Sequence, residues 1–483
     1  MQSVDPRTGE AFGPDFADTS LAELDRIVTA AQGAAAAFAA MPSSARARSL
    51  RAMADALDAN TDRLAQIADR ETGLGLPRLT GEVGRSSFQL RAFADFIEAG
   101  RHLGIVIDPE VPGAPPVGHP DLRRVNVALG PVAVYGASNF PFAFSVPGGD
   151  TASALAAGCP VVAKAHPGHL STSVEVAAIL ESALSASGAP DGVFALVHGF
   201  EAGRELIRHP AIKAGAFTGS PVGGRALADL AAARPDPIPF YGELGSVNPV
   251  VVTPGWSGDS SVFAAQYVDS LTLGTGQFCT NPGLVLVPEG SQIVAKVVAE
   301  ASSRAGSVML HGGVLKIFGE EFAALRTIAG VEVLLDAQFG DVGFTTTPAL
   351  LGATGATALA NPALVRSECF GPAGVIIEYA SSEELMALVD ALGGALASTV
   401  HGEVDEPLAG VLIERLAAIS GRVLWGGWPT GVAVSPAQHH GGPHPVSTNS
   451  LHTSVGAAAI FRFLRPVAYQ SMPSALLPQE LRG

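Results

Sequence analysis

Cysteine is scarce in this chain, and its scarcity limits the chemistry that the protein can use. Only three cysteines occur among 483 residues, and Cys159, Cys279 and Cys369 form no C-x-x-C pair of the kind that binds zinc. The amino terminus, MQSVDPRTGEAF, also lacks the basic and apolar segments of a secretory signal. Widely separated cysteines without such a signal favour a reducing compartment, and we expect a cytoplasmic protein.

Charged residues are few as well, and the net negative charge of the chain does not suit nucleic acid or an anionic membrane surface as a partner. They make up 15% of the chain with a formal net charge of −16, and the basic residues are scattered. Hydrophobic residues reach 47%, which is typical of a large globular enzyme rather than of a disordered chain. At this length we expect two or three domains.

A continuous apolar run that could cross a membrane is not evident either. The stretch 125–149 contains no charged residue, but glycines and prolines such as Pro141 and Pro147 interrupt it. A membrane helix of ~20 apolar residues rarely tolerates so many of them. We interpret the stretch as buried strands and turns.

The pattern of apolar residues predicts helices first and then alternating strands and helices. From 21 to 97 the apolar positions recur at helical spacing, and a proline-rich stretch, 104–122, follows. From Pro131 the strand-like segments PVAVYG, PVVAK, VFALVHG and KAGAFTGS alternate with helical ones. This alternation predicts an α/β fold with a doubly wound parallel sheet and a ligand crevice at the carboxyl ends of its strands. A second such series after Glu243 has enough apolar residues for its own core.

Cys279 has the sequence context of a nucleophile. It stands in GQFCTNPG, between an aromatic residue and a polar turn, where its sulfur could face a cleft. By itself the motif does not exclude a buried structural thiol, which is the commoner role of a lone cysteine. Other segments of the chain decide between the two interpretations.

Six short segments occur in an order that resembles the aldehyde dehydrogenase superfamily. They are NFPF (139–142), VVAK (161–164), FTGS (217–220), ELG (243–245), GQFCTNPG (276–283) and ECFGP (368–372). Each is weak alone, but together they match the superfamily over nearly the whole chain. The resemblance implies oxidation of an aldehyde to a carboxylic acid with NAD or NADP, through a thiohemiacetal and a thioester on Cys279.

The resemblance also implies three catalytic roles. Cys279 attacks the aldehyde carbon, and the resulting oxyanion accepts hydrogen bonds from the Asn139 side-chain amide and the Cys279 backbone N–H. Glu243 activates the water that hydrolyses the thioester, and we expect the cleft to raise its pKa toward neutrality. Taken alone, Asn139 could be a turn former and Glu243 a solvated strand-end residue.

The cofactor residues follow from the same resemblance. Lys164 binds the hydroxyl groups of the adenosine ribose, and Glu368 binds the nicotinamide ribose with Phe370 beside the ring. Small side chains and N–H groups at the start of a helix contact the pyrophosphate, namely those of Gly219, Ser220 and Gly223.

Two positions depart from the common pattern of the family. Pro221 stands where many relatives carry threonine, and Pro167 stands where relatives that prefer NAD often carry a glutamate for the ribose 2′-hydroxyl. Without that carboxylate a 2′-phosphate is not repelled, so we expect NADP to be preferred over NAD. Arg204 and Arg208 are only approximate counterparts of the arginine found in NADP-using relatives, so NAD stays the alternative.

The carboxyl-terminal third resembles the branch that contains α-ketoglutarate semialdehyde (2,5-dioxopentanoate) dehydrogenases and NADP-linked fatty aldehyde dehydrogenases. ELGSVNP, PTGVAVSPAQHHGGPHPVSTNS and RFLRPVAYQ carry this resemblance. A dicarboxylate semialdehyde needs a cation for its distal carboxylate, and the sequence does not reveal which arginine supplies it. The alternative, a medium- or long-chain aliphatic aldehyde, needs an apolar wall, and the candidates are Phe140, Phe142, Phe278 and Trp428.

The histidines of that third do not predict a metal site. His439, His440 and His444 lie in a Gly/Pro-rich loop and lack the spacing of a ligand set. We interpret them as loop or substrate-rim residues, and we expect no metal.

The combined expectation is an aldehyde dehydrogenase-like α/β protein. It has a Rossmann-type cofactor domain at 1–108 and 130–242, an α/β catalytic domain at 243–440, and a small β oligomerisation element at 109–129 and 456–483. Relatives pair through such an element, so we expect a homodimer or homotetramer. Two functions of another class stay open: a cysteine hydrolase (esterase), which needs a histidine partner for Cys279, and a catalytically silent structural relative.

Overall fold

The computed structural model describes residues 1–482, and its amino-terminal part is a short hairpin followed by helices. The elements up to residue 128 are β1 (Ser3–Asp5), β2 (Glu10–Phe12), α1 (Leu21–Ala39), α2 (Ser43–Ala59), α3 (Thr61–Thr72), α4 (Leu76–Glu98), β3 (Val106–Asp108) and β4 (Leu122–Ala128). Helix α1 begins after Ser20, whose hydroxyl accepts a hydrogen bond from Glu23 N at 3.2 Å. Helix α3 is capped at its carboxyl end by Gly73, which adopts the left-handed conformation. The predicted helical region at 21–97 is confirmed.

The predicted doubly wound sheet is present and has five parallel strands. Its strands and connecting helices are β5 (Val132–Tyr135), α5 (Gly149–Ala157), β6 (Val161–Lys164), α6 (Leu170–Ala186), β7 (Phe194–Val197), α7 (Phe200–Arg208), β8 (Ala214–Thr218), α8 (Pro221–Ala232) and β9 (Phe240–Glu243). The order across the sheet is β7-β6-β5-β8-β9, so it reverses between β5 and β8. Loops after these two strands border the crevice in which such sheets bind ligands.

A second sheet has seven strands in the order β13-β15-β16-β11-β10-β17-β18. The strands of this region are β10 (Pro249–Val252), β11 (Leu284–Pro288), β12 (Ser307–Val308), β13 (Glu332–Leu335), β14 (Thr345–Thr346), β15 (Ala349–Thr354), β16 (Ala373–Tyr379), β17 (Ala395–His401) and β18 (Ser420–Trp425). Its helices are α9 (Ser260–Thr272), α10 (Ile293–Ser302), α11 (Gly312–Arg326), α12 (Gly355–Ala360), α13 (Ala363–Arg366), α14 (Ser382–Ala391) and α15 (Pro407–Ile419). Neighbouring strands of the seven are parallel, except that β13 is antiparallel to β15.

Both large sheets are covered on both faces. In β5, Val132 and Val134 belong to one core, whereas Ala133 and Tyr135 belong to the other. Strand β11 alternates between two cores in the same way. Because successive side chains of a strand point to opposite faces, continuous apolar runs of this kind suit a parallel sheet with helices on both sides.

The uncharged stretch 125–149 forms the end of β4, strand β5 and the loop that leads to α5, as its glycines and prolines predict. Strand β5 is buried over its whole length. None of the helices within residues 1–482 combines the length and the apolar character needed to cross a membrane.

A third, antiparallel sheet has the order β19-β4-β3, with β19 spanning Leu464–Gln470. This sheet begins at Val106, whereas the predicted oligomerisation element begins at residue 109. The 3-10 segment Ala457–Phe463 packs against α5, where Arg462 donates to Asp150 Oδ1 at 2.7 Å. The sheet thus overlaps the predicted oligomerisation element at 109–129 and 456–483, while the chain just before β19 packs with the core around α5. Its role stays a prediction.

The two large sheets meet end to end. Strand β9 ends at Glu243 and β10 begins at Pro249, so a short link joins them. That link brings the carboxyl edge of the five-stranded sheet to the amino edge of the seven-stranded one, where Cys279 precedes β11 and Glu368 precedes β16. One cleft therefore receives residues from both sheets.

Candidate active site

Glu243 lies at the carboxyl end of β9, and a long carboxyl-terminal segment folds against it. The backbone N–H of Leu244 donates to Val446 O at 2.7 Å, and that of Thr448 donates to Gly242 O at 3.0 Å. These bonds add the segment to the edge of the five-stranded sheet. They hold the irregular chain that follows β18 over the cleft.

Cys279 sits in a tight turn just before β11. Gly276 has a φ of 68°, and a Cβ atom there would lie 2.1 Å from Gly371 O, so only glycine fits. The side-chain amide of Asn248 supports the turn, because it donates to Cys279 O at 2.8 Å and to Asn281 O at 2.9 Å. Within residues 1–482 the backbone N–H of Cys279 has no acceptor, so it is available to an oxyanion.

Glu243, His440 and Cys279 contact one another in the cleft. Nε2 of His440 lies 2.8 Å from Oε1 of Glu243 and 3.5 Å from Sγ of Cys279. Oε2 of Glu243 accepts a hydrogen bond from the hydroxyl of Ser454. The side chains of His440 and Glu243 are only 2% and 4% exposed. Despite its proximity to Nε2, Oε1 has no aligned hydrogen-bond donor among residues 1–482, so one acceptor position of Glu243 is unfilled.

These surroundings keep the sulfur of Cys279 protonated. Burial raises the pKa of Cys279 well above its ordinary value, and the Glu243 carboxylate raises it further. Burial also acts to raise the pKa of Glu243, but the positive charge that His440 carries when protonated, together with the hydrogen bond from Ser454, outweighs burial and lowers that pKa. The prediction of a raised pKa for Glu243 is therefore wrong, because it did not include a buried histidine beside the carboxylate.

Asn139 lies in the loop after β5, beside the Cys279 turn. Its Nδ2 donates to Gln277 O at 2.9 Å, and its own backbone oxygen accepts a bond from Arg78 at 2.6 Å. The side chain is 8% exposed. Gln277 uses one of the two amide N–H groups, which leaves the other for an oxyanion. The structure thus brings the predicted residues Asn139, Glu243 and Cys279 to the same junction of the two sheets.

Three phenylalanine rings lie next to this group. The ring of Phe140 is 5.1 Å from that of Phe278 and 5.2 Å from that of Phe144, between centroids. Phe144 in turn lies 6.0 Å from the ring of His440. They form an apolar wall that ends at His440 and its neighbours Glu243 and Cys279.

Two of the aromatic residues predicted for such a wall lie elsewhere. Phe142 is fully buried in the core of the cofactor domain. Trp428 packs at 5.0 Å from Phe263 and 5.2 Å from His401, in the core of the second domain. The prediction for these two is wrong, because sequence order does not tell which side of a loop a ring faces.

Two arginines of α4 face the phenylalanine rings, and sequence reasoning missed both. The guanidinium carbon of Arg78 lies 4.7 Å from the centroid of Phe278, and that of Arg85 lies 5.4 Å from the centroid of Phe144. Burial lowers the pKa of both groups. Attraction to cations of this kind is typical of aromatic faces.

Lys164 ends β6 on the other side of the cleft. Burial lowers the pKa of Lys164, and the charge of Asp18 partly offsets that effect. Helix α7 comes close to its stem, since a Cβ atom on Gly203 would lie 3.4 Å from Lys164 Cε. The ammonium group therefore stands at the carboxyl edge of the sheet with its stem packed.

The start of α8 offers N–H groups, of which that of Ser220 was predicted and that of Val222 was not. The hydroxyl of Ser220 accepts from Gly223 N at 3.2 Å, and Gly219 N donates to Glu243 O at 3.1 Å. The N–H groups of Gly219 and Gly223 are therefore engaged, because Ser220 caps the helix and the chain continues the β8–β9 ladder. Those of Ser220 and Val222 have no acceptor within residues 1–482 and are the ones that fit a phosphate.

Glu368 and Phe370 line one cavity together with Ser246 and Gly276. A Cβ atom on Gly245 would lie 2.0 Å from Glu368 Oε2, so glycine is required for the carboxylate to reach the link between the sheets. Burial raises the pKa of Glu368 to about 7, and the Ser246 N–H partly opposes this rise. Together these groups fit a dinucleotide. The Lys164 ammonium and the two free N–H groups at the start of α8 can donate hydrogen bonds to it, and the Glu368 carboxylate can accept them.

Pro167 opens a 3-10 turn, Pro167–His169, directly after β6. There the N–H of Gly168 donates to Nδ1 of His166 at 3.0 Å. The turn contains no carboxylate, in agreement with the departure noted in the sequence.

The three histidines of the carboxyl-terminal loop do not form a common ligand set. Among residues 1–482, His440 groups with Glu243 and Cys279, whose ligand atoms all lie within 4.8 Å of one another, and not with His439 or His444. Zinc takes these donor types, but a metal bound there would block the sulfur. Local sequence did not reveal His440 as part of the site, because HHGG does not tell which of two adjacent rings is buried.

The fold and the site define an α/β enzyme in which a dinucleotide-type sheet faces a partly buried cysteine. The sequence model of the aldehyde dehydrogenase family matches residues 1–314 of this chain. The chain is 44% identical to alpha-ketoglutaric semialdehyde dehydrogenase 2 of Azospirillum brasilense and 39% identical to alpha-ketoglutaric semialdehyde dehydrogenase of Acinetobacter baylyi, over all of this chain and 93% of each relative. The chain therefore belongs to the aldehyde dehydrogenase family.

Solved structures agree with this assignment at the level of the fold. A variant of aldehyde dehydrogenase C from Pseudomonas syringae, complexed with NAD+ and octanal, gives a TM-score of 0.81 at 22% identity over 97% of this chain and 93% of that one. 1-Pyrroline-5-carboxylate dehydrogenase from Thermus with bound NAD gives 0.82 at 20% identity over 97% and 89%. The predicted fold class is confirmed, and so is the predicted class of enzyme, an NAD(P)-dependent aldehyde dehydrogenase.

Proposed function

We propose that this enzyme oxidises α-ketoglutaric semialdehyde to α-ketoglutarate through a thioester on Cys279. The names of the two relatives described above support this substrate. The observation that carries the chemistry is the contact of His440 Nε2 with both Cys279 Sγ and Glu243 Oε1, at 3.5 Å and 2.8 Å. This contact gives the thiol a proton acceptor, His440. It also places the negative charge of Glu243 beside the imidazolium that forms when His440 takes the proton.

Activation of the thiol is the first step. Because burial and Glu243 raise the pKa of Cys279, the sulfur needs a base at the moment of attack. His440 takes the proton from Sγ at Nε2, and the Glu243 carboxylate stabilises the imidazolium that results. The thiolate then attacks the aldehyde carbon.

The oxyanion of the thiohemiacetal is the second element. The free amide N–H of Asn139 and the backbone N–H of Cys279 donate to it, and Asn248 keeps the turn in place through its bond to Cys279 O. Both donors are neutral and held by the fold, so they need little rearrangement as the charge develops.

The dinucleotide, when bound, supplies the acceptor for the hydride that leaves the thiohemiacetal carbon, and a thioester remains on Cys279. Lys164 would bind the adenosine ribose, and the N–H groups of Ser220 and Val222 would bind the pyrophosphate. Glu368 would accept bonds from the nicotinamide ribose, with Phe370 beside it.

Glu243 carries out the last step. A water molecule donates a hydrogen bond to the unfilled acceptor position at Oε1, loses its proton to the carboxylate and attacks the thioester carbon. Collapse of that adduct releases the acid, and the imidazolium of His440 returns the proton to the sulfur. Glu243 passes the proton that it took from water to solvent, so both acid–base groups return to the starting state.

We further propose that NADP is preferred over NAD. Pro167 presents no carboxylate to repel a 2′-phosphate, and Arg204 follows Gly203 on α7, the helix that comes close to the Lys164 stem. Arg208 is a poorer candidate, since it pairs with Glu205.

Two other activities have a specific observation in their favour. The wall of Phe140, Phe144 and Phe278 suits an aliphatic aldehyde. The contact of His440 with Cys279 meets the requirement of a cysteine hydrolase, which would turn over esters without NAD(P).

We also propose that the enzyme is a cytoplasmic homodimer or homotetramer assembled through the β3–β4–β19 sheet. Exposed apolar side chains on and beside this sheet support the interface, with Ile105, Val106 and Ile107 exposed by 42%, 39% and 41%. The three cysteines are free, which suits a reducing compartment.

The test is a panel of aldehydes and esters assayed with NAD and with NADP, followed by mass spectrometry of the enzyme during turnover. We expect the highest kcat/KM with α-ketoglutaric semialdehyde and an acyl adduct on the peptide that contains Cys279. Cys279→Ala should lose both, whereas Cys159→Ala, a buried cysteine away from the cleft, should keep both. Aldehyde oxidation by Cys279→Ala would contradict the proposal, and ester turnover without any oxidation would favour the hydrolase. Cofactor binding without an adduct or turnover would indicate the silent relative.

A further inference from the structure

Arg85 turns its guanidinium group into the protein without a partner. It lies on α4, and its Nε and Nη2 atoms are buried and have no acceptor within residues 1–482. Burial of an unpaired cation is costly, so the position favours binding of an anion. We propose that Arg85 binds the distal carboxylate of the substrate, an inference that rests on the semialdehyde dehydrogenase function proposed above.

A series of close contacts joins Arg85 to the reacting sulfur. Its guanidinium carbon lies 5.4 Å from the centroid of Phe144, and that ring lies 6.0 Å from the ring of His440. Nε2 of His440 lies 3.5 Å from Sγ of Cys279. A short semialdehyde bound to the sulfur would therefore extend along Phe144 toward Arg85.

The other arginines near the cleft already donate to backbone oxygens. Arg78 donates to Asn139 O at 2.6 Å through Nη2, and only its Nη1 atom has no acceptor within residues 1–482. Arg422 donates to the carbonyl oxygens of Pro429 and Gly431. Arg85 is thus the arginine whose Nε and Nη2 both stay available in this part of the described chain.

The nearest acid on the same helix does not neutralise Arg85. Oε1 of Glu82 accepts backbone bonds from Phe142 N at 2.8 Å and Ala143 N at 3.0 Å. Its attraction to Arg85 is real, but no ion pair between them is present within residues 1–482. The fold therefore uses Glu82 to hold the loop after β5 rather than to pair with Arg85.

The two free nitrogens of Arg85 suit a carboxylate in particular. Nε and Nη2 form one edge of the guanidinium group, and their N–H bonds run parallel. A carboxylate accepts both in a bidentate pair, whereas an uncharged alkyl end offers no acceptor. The proposal therefore predicts discrimination by charge among aldehydes of equal length.

A rival role for Arg85 is to tune the thiol, since its charge opposes the rise in the pKa of Cys279. Loss of that effect would slow the reaction of every aldehyde alike. Loss of a carboxylate site would raise KM for charged semialdehydes selectively. The ratio of two kcat/KM values separates the roles.

The experiment compares α-ketoglutaric semialdehyde with pentanal, which has the same number of carbons and no charge. Wild type, Arg85→Met and Arg85→Lys are assayed on both, with Arg91→Met as the matched control from the same helix. Arg91 pairs at the surface with Asp55 and Asp58. We expect the ratio of kcat/KM, semialdehyde over pentanal, to fall by about 100-fold in Arg85→Met and less in Arg85→Lys. Arg91→Met should keep the wild-type ratio.

The outcomes separate the two proposals. An unchanged ratio in folded Arg85→Met, with wild type still preferring the semialdehyde, would refute the role of Arg85 and leave the proposed function standing. An equal loss on both substrates, with slower alkylation of Cys279 by iodoacetamide, would assign Arg85 to the thiol. Wild type that prefers pentanal would overturn the substrate and this inference together. If Arg85→Met does not fold, the same ratio of kcat/KM values measured in Arg85→Lys tests the proposal. Weaker inhibition of Arg85→Lys than of wild type by glutarate would support the carboxylate site.

Discussion

Oε1 of Glu243 lies 2.8 Å from Nε2 of His440, and both side chains are buried at the junction of the two sheets. One member comes from the end of β9, and the other comes from the irregular chain after β18. The pair gives the site two acid–base groups, of which His440 also touches the nucleophile. The first two predictions separate their roles.

Replacement of the histidine should impair thiol activation. In His440→Ala the sulfur loses its nearest base, so alkylation of Cys279 by iodoacetamide should slow at pH 7 and recover only at higher pH. Acylation should fall by about 100-fold or more. The measurement is the alkylation rate against pH, with His439→Ala as the control. An unchanged profile in His440→Ala would exclude the role.

Replacement of the glutamate should impair hydrolysis of the thioester instead. Glu243→Gln keeps the shape and the bond with Ser454, and it removes a negative charge that raises the pKa of Cys279. Acylation should survive while deacylation slows by about 100-fold or more. Stopped-flow absorbance should show a burst of NAD(P)H before slow turnover, which the exposed control Glu414→Gln should not show. Loss of the burst itself would show that acylation requires the negative charge of Glu243 beside His440, and it would contradict this prediction.

Cofactor affinity should depend on pH through Glu368. Burial raises the pKa of its carboxyl group to about 7, so the group is largely protonated below that pH and ionised above it. The ionised form is the better acceptor for ribose hydroxyls, and binding should therefore strengthen as pH rises from 6 to 8, around that value. Titration of tryptophan fluorescence with the dinucleotide measures this, and Glu368→Gln should flatten the curve. The exposed control Glu383→Gln should follow wild type.

Cofactor preference should respond to the turn after β6. Pro167→Glu adds a carboxylate that repels a 2′-phosphate and accepts from a 2′-hydroxyl, so the ratio of kcat/KM for NADP over NAD should fall by about 10- to 100-fold. Pro167→Gln adds the acceptor without the charge and should give a smaller change. Equal ratios in all three proteins would place the adenosine ribose elsewhere.

Zinc should inhibit the enzyme, and chelation should not. Glu243, Cys279 and His440 offer three ligand atoms within 4.8 Å of one another, and a bound ion would occupy the nucleophile. Added Zn²⁺ should abolish activity reversibly, and EDTA should restore it while leaving the untreated enzyme unaffected. If Zn²⁺ inhibits the residual activity of His440→Ala less than it inhibits wild type, the ion binds at these three residues. Loss of activity with EDTA alone would contradict the expectation that no metal takes part.

Much of the fold was predictable because it depends on local patterns. Apolar residues at helical spacing predict α1 to α4, and short apolar runs separated by glycines and helices predict the five-stranded sheet. The order of the six short motifs along the chain carries the resemblance to the aldehyde dehydrogenases. These features require only neighbouring residues or their order along the chain.

The sequence by itself thus determined the family, the parallel sheet and the candidates Asn139, Glu243 and Cys279. Tertiary structure alone decided that His440 is buried against Glu243, which lowers a pKa expected to rise, and that Arg85 keeps two nitrogens free. The physical reason is that these effects depend on distances between segments far apart in the chain. Burial, charge and hydrogen bonding act through space, and adjacent letters such as HH do not say which ring the fold will enclose.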